Sequence, residues 1–289
     1  MRILLTGAGG MLGRDVSAAA ARAGHEPLAL ARSALDITDP AAVNDAFERL
    51  APAAVLNCAG WTDVDGAQAD REGAYAVNAD GAGYLAAAAA GAGAQMVHVS
   101  TDYVFSGERL FDGRGQPRPY VESDRTGPVS VYGCSKLEGE RRVLDAGGDH
   151  AVVRTAWLFG VGGSNFVETM LRLAGEREAV QVVDDQVGCP TWTGHLAPAL
   201  IGLLERGVSG VVHLAGAGEV SWNGFAAEIF RQAEVQCRVE SATTEQMARP
   251  APRPAWSVME SERPDVIPMG PWQDGLAGYL AARAGIMRV

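Results

Sequence analysis

A chain of 289 residues, 47% hydrophobic and 20% charged, is long enough to bury one large α/β unit and a smaller appended lobe. A formal net charge of -11 excludes a surface built for nucleic acid or an anionic membrane, because a polyanion would be repelled over most of the exterior. No run is apolar for long enough to span a bilayer, and the opening MRILLTGAGG lacks the basic-then-apolar plan of a signal peptide, so a cytoplasmic protein is expected.

In chain order, short β-rich runs alternate with Ala-rich helical ones: strand Ile3 to Thr6, helix Met11 to Ala23, strand Pro27 to Ala31, helix Pro40 to Leu50, strand Ala54 to Cys58. A helix from Glu72 to Gly91, a strand Met96 to Ser100, a turn-rich stretch, a helix Tyr132 to Asp145 and a strand Ala151 to Thr155 follow. That rhythm predicts βαβ units and a doubly wound parallel sheet. Past Trp157 the pattern loosens into a helix near Asn165 to Glu178, a strand Val180 to Val183, a helix near His195 to Arg206 and a strand Val211 to Leu214. The proline-rich ARPAPRPAWS, Ala248 to Ser257, suits neither a regular helix nor a central strand and reads as a linker or a rigid ligand-facing loop. Cys58, Cys134, Cys189 and Cys237 show no C-x-x-C spacing, which suggests neither a zinc site nor a disulfide framework. The five dispersed histidines read as structural or surface residues.

Directly after the first strand, Gly7, Gly10 and Gly13 are spaced G-x-x-G-x-x-G and open a helix with Met11 and Leu12. Without side chains at the turn, backbone can approach a pyrophosphate, whose charge the free N–H groups of the helix start receive; this is a dinucleotide site. The second strand ends Leu-Ala-Leu-Ala31-Arg32 with no carboxylate for a ribose 2′-hydroxyl. Arg32 suits a 2′-phosphate instead, which favours NADPH, with NADH the alternative. Asp36 and Ile37 are expected near the adenine, and the loop Ala59-Gly60-Trp61-Thr62 over the cofactor.

Tyr132 and Lys136 form an i,i+4 pair that one helix places on the same face. When hydride reaches a ketone carbon, charge develops on the oxygen and calls for a positioned proton donor, a role for a phenol tuned by a neighbouring ammonium. The preceding strand ends Val99-Ser100-Thr101-Asp102-Tyr103, which puts the Thr101 hydroxyl at the carboxyl edge of the sheet.

Glycine turn, strand-end Thr and Tyr/Lys helix in this order resemble the extended short-chain dehydrogenase/reductases. Within that class, the chain resembles dTDP-4-dehydrorhamnose reductase through Asn57-Cys-Ala-Gly-Trp-Thr62, Ser100-Thr-Asp-Tyr-Val-Phe105, Val131-Tyr-Gly-Cys-Ser-Lys136-Leu-Glu-Gly-Glu140, Arg154-Thr-Ala-Trp157, Asn165-Phe166 and Asp184-Asp-Gln-Val-Gly-Cys-Pro-Thr191. The resemblance implies NADPH-dependent reduction of the 4-keto group of dTDP-4-dehydro-L-rhamnose. It assigns Tyr132 as proton donor, Lys136 as its tuner and ribose ligand, and Thr101 as a partner of the same oxygen. It further implies that Asp102 and Trp157 contact the sugar, that Val99 lies near the nicotinamide, and that Arg253, in Arg253-Pro-Ala-Trp-Ser257-Val-Met259, meets the diphosphate. Met259 departs from the usual leucine, and the segment from Gly107 to Asp124 is longer than in compact members.

The implied fold is a Rossmann domain over 1–160, with return segments around 190–235, and a smaller C-terminal α/β substrate lobe from 161–189 and 236–289. No metal ligand set is expected. Some members of the family dimerise through a carboxylate-held Mg2+, in which Asp15 would take part; a homodimer is left open. A 4,6-dehydratase is disfavoured, because Tyr103 stands where that family has its Glu base. A 4-epimerase, a sibling ketoreductase making another deoxysugar, such as a dihydrostreptose-type sugar, and a non-catalytic regulatory subunit of the same fold are the other readings.

Overall fold

The computed structural model describes residues 1–286. Six parallel strands form the central sheet in the spatial order Gly210–His213, Ala151–Thr155, Gln95–Thr101, Ala54–Asn57, Arg2–Thr6, Glu26–Leu30. Strands 54–57 and 151–155 are buried at every position, as continuous apolar runs must be when helices cover both faces. One face carries the helices Met11–Arg22 and Thr193–Glu205, whose Leu12, Val16, Leu196 and Leu200 pack together over Ile3, Leu5 and Val97. Opposite, Pro40–Leu50, Ala82–Gly91 and Val131–Asp145 bring Val43, Phe47, Leu85 and Val143 onto Leu4, Val55 and Val152.

Strand order reverses beside Arg2–Thr6: its neighbours are the second strand on one side and the third on the other. Connections therefore leave in opposite directions and open a crevice at the carboxyl ends, where open α/β sheets bind ligands. Parallel register also sets Thr6, Asn57 and His98 side by side across three strands at that edge.

The smaller lobe has its own two-stranded parallel sheet, Ala179–Val183 with Arg238–Ala242, covered by the helices Phe166–Glu176 and Trp222–Gln232 and by Trp272–Ile286. Its core gathers Phe159, Val180, Val182, Phe225, Ile229, Trp272 and Tyr279. Here the expected boundaries need correction. The return to the main sheet ends with the strand Gly210–His213, and the helix Trp222–Gln232, expected among the return segments, buries Phe225, Ala226, Ile229 and Phe230 in the small lobe instead. The last residues of the expected lobe, 287–289, lie outside the described residues.

Two other expectations change. The single helix Glu72 to Gly91 is three joined pieces, Arg71–Tyr75, a π-turn at Ala76–Gly81 and Ala82–Gly91. A π-turn carries one extra residue per turn, and here it turns Asn78 inward to near-complete burial. The long 107–124 segment folds as a small hairpin, Leu110–Phe111 with Pro117–Arg118, pinned by a bidentate Arg118–Asp124 pair at 2.7 Å for both bonds. The proline-rich stretch is a rigid loop: Trp256 bridges to Val187, and Met259, just past it, bridges to Tyr120.

Candidate active site

At the crevice a cleft of about 500 Å3 opens between the glycine turn and the Tyr132 helix. Gly7 turns at φ +68°, and a Cβ there would lie 2.6 Å from the backbone of Cys58 and Ala59; a Cβ on Gly13 would lie 2.3 Å from the Gly7 carbonyl oxygen. Only glycine lets strand, turn and helix close this tightly. The helix Met11–Arg22 begins at Gly10 with no side chain capping it, so its first N–H groups are free for an anion. A cradle of this kind fits a pyrophosphate.

Every residue assigned to the cofactor from sequence lines this one cleft: Gly7, Gly10, Met11, Leu12, Gly13, Arg32, Asp36, Ile37, Ala59, Gly60, Trp61, Thr62, Val99, Tyr132 and Lys136. Arg32 is not a free cation, however. Its guanidinium lies 3.7 Å from the Asp36 carboxylate, one helical-turn spacing along the chain. Asp36 is held below the usual carboxylate range, chiefly by the Thr38 backbone N–H and hydroxyl at 3.0 and 2.8 Å, with Arg32 adding to the effect. The sequence gave no sign of Leu35, Val77, Leu158, Gly163 and Ser164, which complete the walls.

The helix Val131–Asp145 is capped by the Ser130 hydroxyl, which accepts from Gly133 N–H at 3.1 Å. Two glycines let it dock closely: a Cβ on Gly133 would strike the Tyr103 carbonyl oxygen at 2.2 Å, and one on Gly139 the Asn78 carbonyl oxygen at 2.0 Å. That docking buries Tyr132 with its ring edge on Tyr103, centroids 5.4 Å apart, and with Thr101 beside its hydroxyl. Burial pushes the phenol up to about 12 and the Thr101 hydroxyl opposes this. The downward pull expected from Lys136 is outweighed. Lys136 instead donates to the Val99 carbonyl at 2.7 Å and faces His98 Nε2 at 3.4 Å. Burial draws its ammonium down to about 8, against the raising influence of Glu140.

Beneath the pair lies a buried polar frame. Asn78 accepts from Trp61 N–H at 2.8 Å and donates to the Trp61 carbonyl at 3.1 Å and the Ser135 hydroxyl at 3.0 Å, fixing the loop over the cleft to the Tyr132 helix. Glu140 accepts from the Ser100 hydroxyl at 2.5 Å and pairs with Arg154 at 2.8 Å. His98, expected to be one of five unremarkable histidines, is fully buried within this frame.

The residues assigned to the sugar nucleotide are arranged differently. Thr101, Asp102, Trp157 and Arg253 do not line the cleft. Thr101 adjoins Tyr132, while Asp102 is buried, accepts from the Thr101 hydroxyl at 3.0 Å, and has its second carboxylate oxygen unpartnered. Its carboxyl is pushed up to about 6 by burial. Trp157 sits at φ +46°, a left-handed backbone that a tryptophan adopts only under constraint. Its indole stacks on Trp222 with centroids 3.6 Å apart and planes at 6°, and it lies against Gly188, where a Cβ would strike the ring at 2.6 Å. Arg253 is engaged by Asp65 through two bonds of 3.0 and 2.9 Å and donates to the Ala251 carbonyl at 2.7 Å.

Among the described residues no three His, Cys, Asp or Glu side chains gather as a metal site, and Asp15 accepts from the Thr193 hydroxyl at 2.5 Å. No helix among them is long and apolar enough to cross a membrane.

The family profile of the RmlD substrate binding domain matches residues 1–284. A dTDP-4-dehydrorhamnose reductase of Mycobacterium tuberculosis (strain CDC 1551 / Oshkosh) is 47% identical, covering 98% of this chain and 93% of its own. The chain belongs to the dTDP-4-dehydrorhamnose reductase family. Members of this family are oxidoreductases that use a nicotinamide cofactor, and so is this protein. A crystal structure of the Bacillus anthracis dTDP-4-dehydrorhamnose reductase in complex with NADP superposes with a TM-score of 0.92 at 34% identity, covering 97% of this chain and 99% of that one. A dTDP-4-keto-6-deoxy-D-glucose reductase of Streptomyces niveus is 42% identical, over 89% of this chain and 88% of its own. The family thus includes close relatives named for different dTDP-sugar ketones.

Proposed function

We propose that the protein reduces the 4-keto group of dTDP-4-dehydro-L-rhamnose to dTDP-L-rhamnose, taking hydride from NADPH. The observation that carries this reading is the single cleft in which an uncapped helix start, Lys136 and a buried, protonated Tyr132 converge. NADPH supplies the hydride when bound. The glycine turn and the N–H groups at Met11 and Leu12 would hold its pyrophosphate, and Arg32 its 2′-phosphate, with the Asp36 carboxylate nearby tempering that preference and leaving NADH as the alternative. Lys136 would hold the nicotinamide ribose, with Val99 against the ring.

A phenol pushed up to about 12 is protonated at neutral pH, the state a proton donor needs when charge builds on the C4 oxygen. Thr101, beside the Tyr132 hydroxyl, donates to the same oxygen. On the other side of the substrate, Asp102 and Trp157 would contact the sugar, the indole held edge-fast by Trp222 and Gly188. Arg253 would meet the diphosphate after exchanging its bonds to Asp65 for the incoming phosphate oxygens. The chain then divides by role into a cofactor lobe, residues 1–160 with the return through the strand Gly210–His213, and a substrate lobe built from the remainder.

A second reading, a sibling 4-ketoreductase for another dTDP-deoxysugar, is favoured by the 42% identity to the Streptomyces niveus enzyme. NADPH oxidation assayed with each keto sugar, with the product identified by NMR, separates the two: rapid turnover to dTDP-L-rhamnose supports the first, and turnover only with another 4-keto sugar the second. Tyr132→Phe should bind NADPH as the parent does yet lose roughly 10²- to 10⁴-fold in kcat. Near-parental turnover would refute the role of Tyr132.

A further inference from the structure

We propose that His98 is a positioning residue for the reaction, holding Lys136 in balance between ammonium and neutral amine through a ring tautomer that Asn57 dictates; this rests on the catalytic reading of Lys136 above. The register of the sheet places Thr6, Asn57 and His98 side by side, each with almost no exposure to solvent. Asn57 Oδ1 accepts from the Ala59 backbone N–H at 3.0 Å and from the Thr6 hydroxyl at 2.7 Å. Because a backbone N–H can only donate, the amide oxygen of Asn57 must face it. The NH2 of Asn57 then faces His98 Nδ1, 2.9 Å away, and Nδ1 must be the bare, accepting nitrogen.

A neutral imidazole has one proton, which this places on Nε2. His98 is kept neutral first by burial and then by the Lys136 ammonium, which together pull it well below the ordinary histidine value. Its Nε2–H points at Lys136 Nζ, 3.4 Å away. Facing an ammonium, this N–H meets a second donor, and no hydrogen bond forms. Facing a neutral amine, it meets a lone pair and donates to it. His98 in this tautomer therefore stabilises the uncharged lysine.

The other groups around Lys136 act in the opposite sense or not at all. Val99 O accepts from Nζ at 2.7 Å in either state. Glu140, one turn along the same helix and fixed by Arg154 and Ser100, favours the ammonium. Cys58 is pushed up to about 12 by burial and stays a neutral thiol, and Tyr132 is likewise protonated. Asn78 and the Gly60 loop carry no charge. One buried anion and one buried N–H donor thus pull the same amine in opposite directions.

The first test uses the unmodified protein: ¹⁵N NMR of His98 should show the Nε2–H tautomer, and an Nδ1–H tautomer would overturn the proposal. The second compares His98→Gln, which keeps an N–H at the end of its side chain, with His98→Met, which has none. Catalysis that needs charged Lys136 is lost as pH rises through its titration. Removing a group that favours the neutral amine should move that alkaline limb of kcat/KM upward by roughly one pH unit in His98→Met and leave it in place in His98→Gln. A purely structural histidine would move both alike or neither, and that result would also overturn the proposal. Asn57→Asp, whose carboxylate needs a proton on Nδ1, should flip the tautomer and move the limb upward with His98 still present; an unmoved limb counts against it. Should His98→Met not fold, the tautomer measurement and Asn57→Asp still decide. Direct NMR titration of Lys136 Nζ should show the same shifts without substrate, so a protein that turns over no keto sugar would refute the catalytic reading while leaving this one testable.

Discussion

The two halves of the crevice are built on different principles. The cofactor half is made of backbone and small residues whose shape is set locally: a glycine turn, an uncapped helix start, and a helix that docks through Gly133 and Gly139. The substrate half is made of large side chains already engaged with one another: Arg253 with Asp65, Trp157 with Trp222, Asp102 with Thr101. The first half is ready to receive a ligand as it stands; the second must trade internal partners for external ones. Geometry that exists before binding gives affinity without reorganisation, whereas exchanged partners give selectivity, because a wrong ligand fails to repay the broken contacts.

The largest effect should come from spoiling the prebuilt half. Gly13→Val places a branched side chain where even a Cβ would lie 2.3 Å from the Gly7 oxygen, so NADPH affinity should fall by roughly 100-fold, about 2.7 kcal/mol, measured by fluorescence titration. Unchanged affinity would mean that the turn is not where the cofactor sits. An effect of intermediate size should appear in the pH dependence of stability. Asp102 binds its proton more tightly folded than unfolded, so between the unfolded value near 3.8 and the folded value of about 6 the native state holds more protons. Stability from this group is therefore present at low pH and is lost as pH rises through that window, by up to about 3 kcal/mol. Urea unfolding at several pH values should show this decline in the parent and a flatter curve in Asp102→Asn. The smallest effect should come from Trp222→Ala. Loss of the stacked partner, worth about 0.5–1.5 kcal/mol, should raise KM for the nucleotide sugar roughly 2- to 12-fold and leave NADPH binding alone. A matching loss of NADPH affinity would erase the distinction between the halves.

The same contrast explains what could be read from sequence. Residues 7–13, 59–62 and 132–136 announce themselves because the constraint on each is local, a glycine spacing or an i,i+4 pair, and all of them meet in one cleft. The partner of Arg253 lies 188 residues away, and that of Trp157 comes from a helix expected in the other lobe, so no short pattern records either. Asn78 was hidden for another reason: a π-turn has the composition of the helix that contains it. His98 was passed over because a single buried histidine in a strand has no spacing to betray it, and only the register of three strands gives it meaning.

The π-turn at Ala76–Gly81 has one more consequence. It amounts to a helix with one residue too many, and removing that residue would let the hydrogen-bond ladder from Arg71 to Gly91 run unbroken. The shortened helix would itself be more regular, yet everything on one side of the deletion would rotate by about 100° relative to the other. Asn78 would then swing away from the Trp61 backbone that it clamps from both sides. At this point in the chain, local thermodynamic preference and catalytic competence are opposed, and length itself, independent of side-chain chemistry, is under selection.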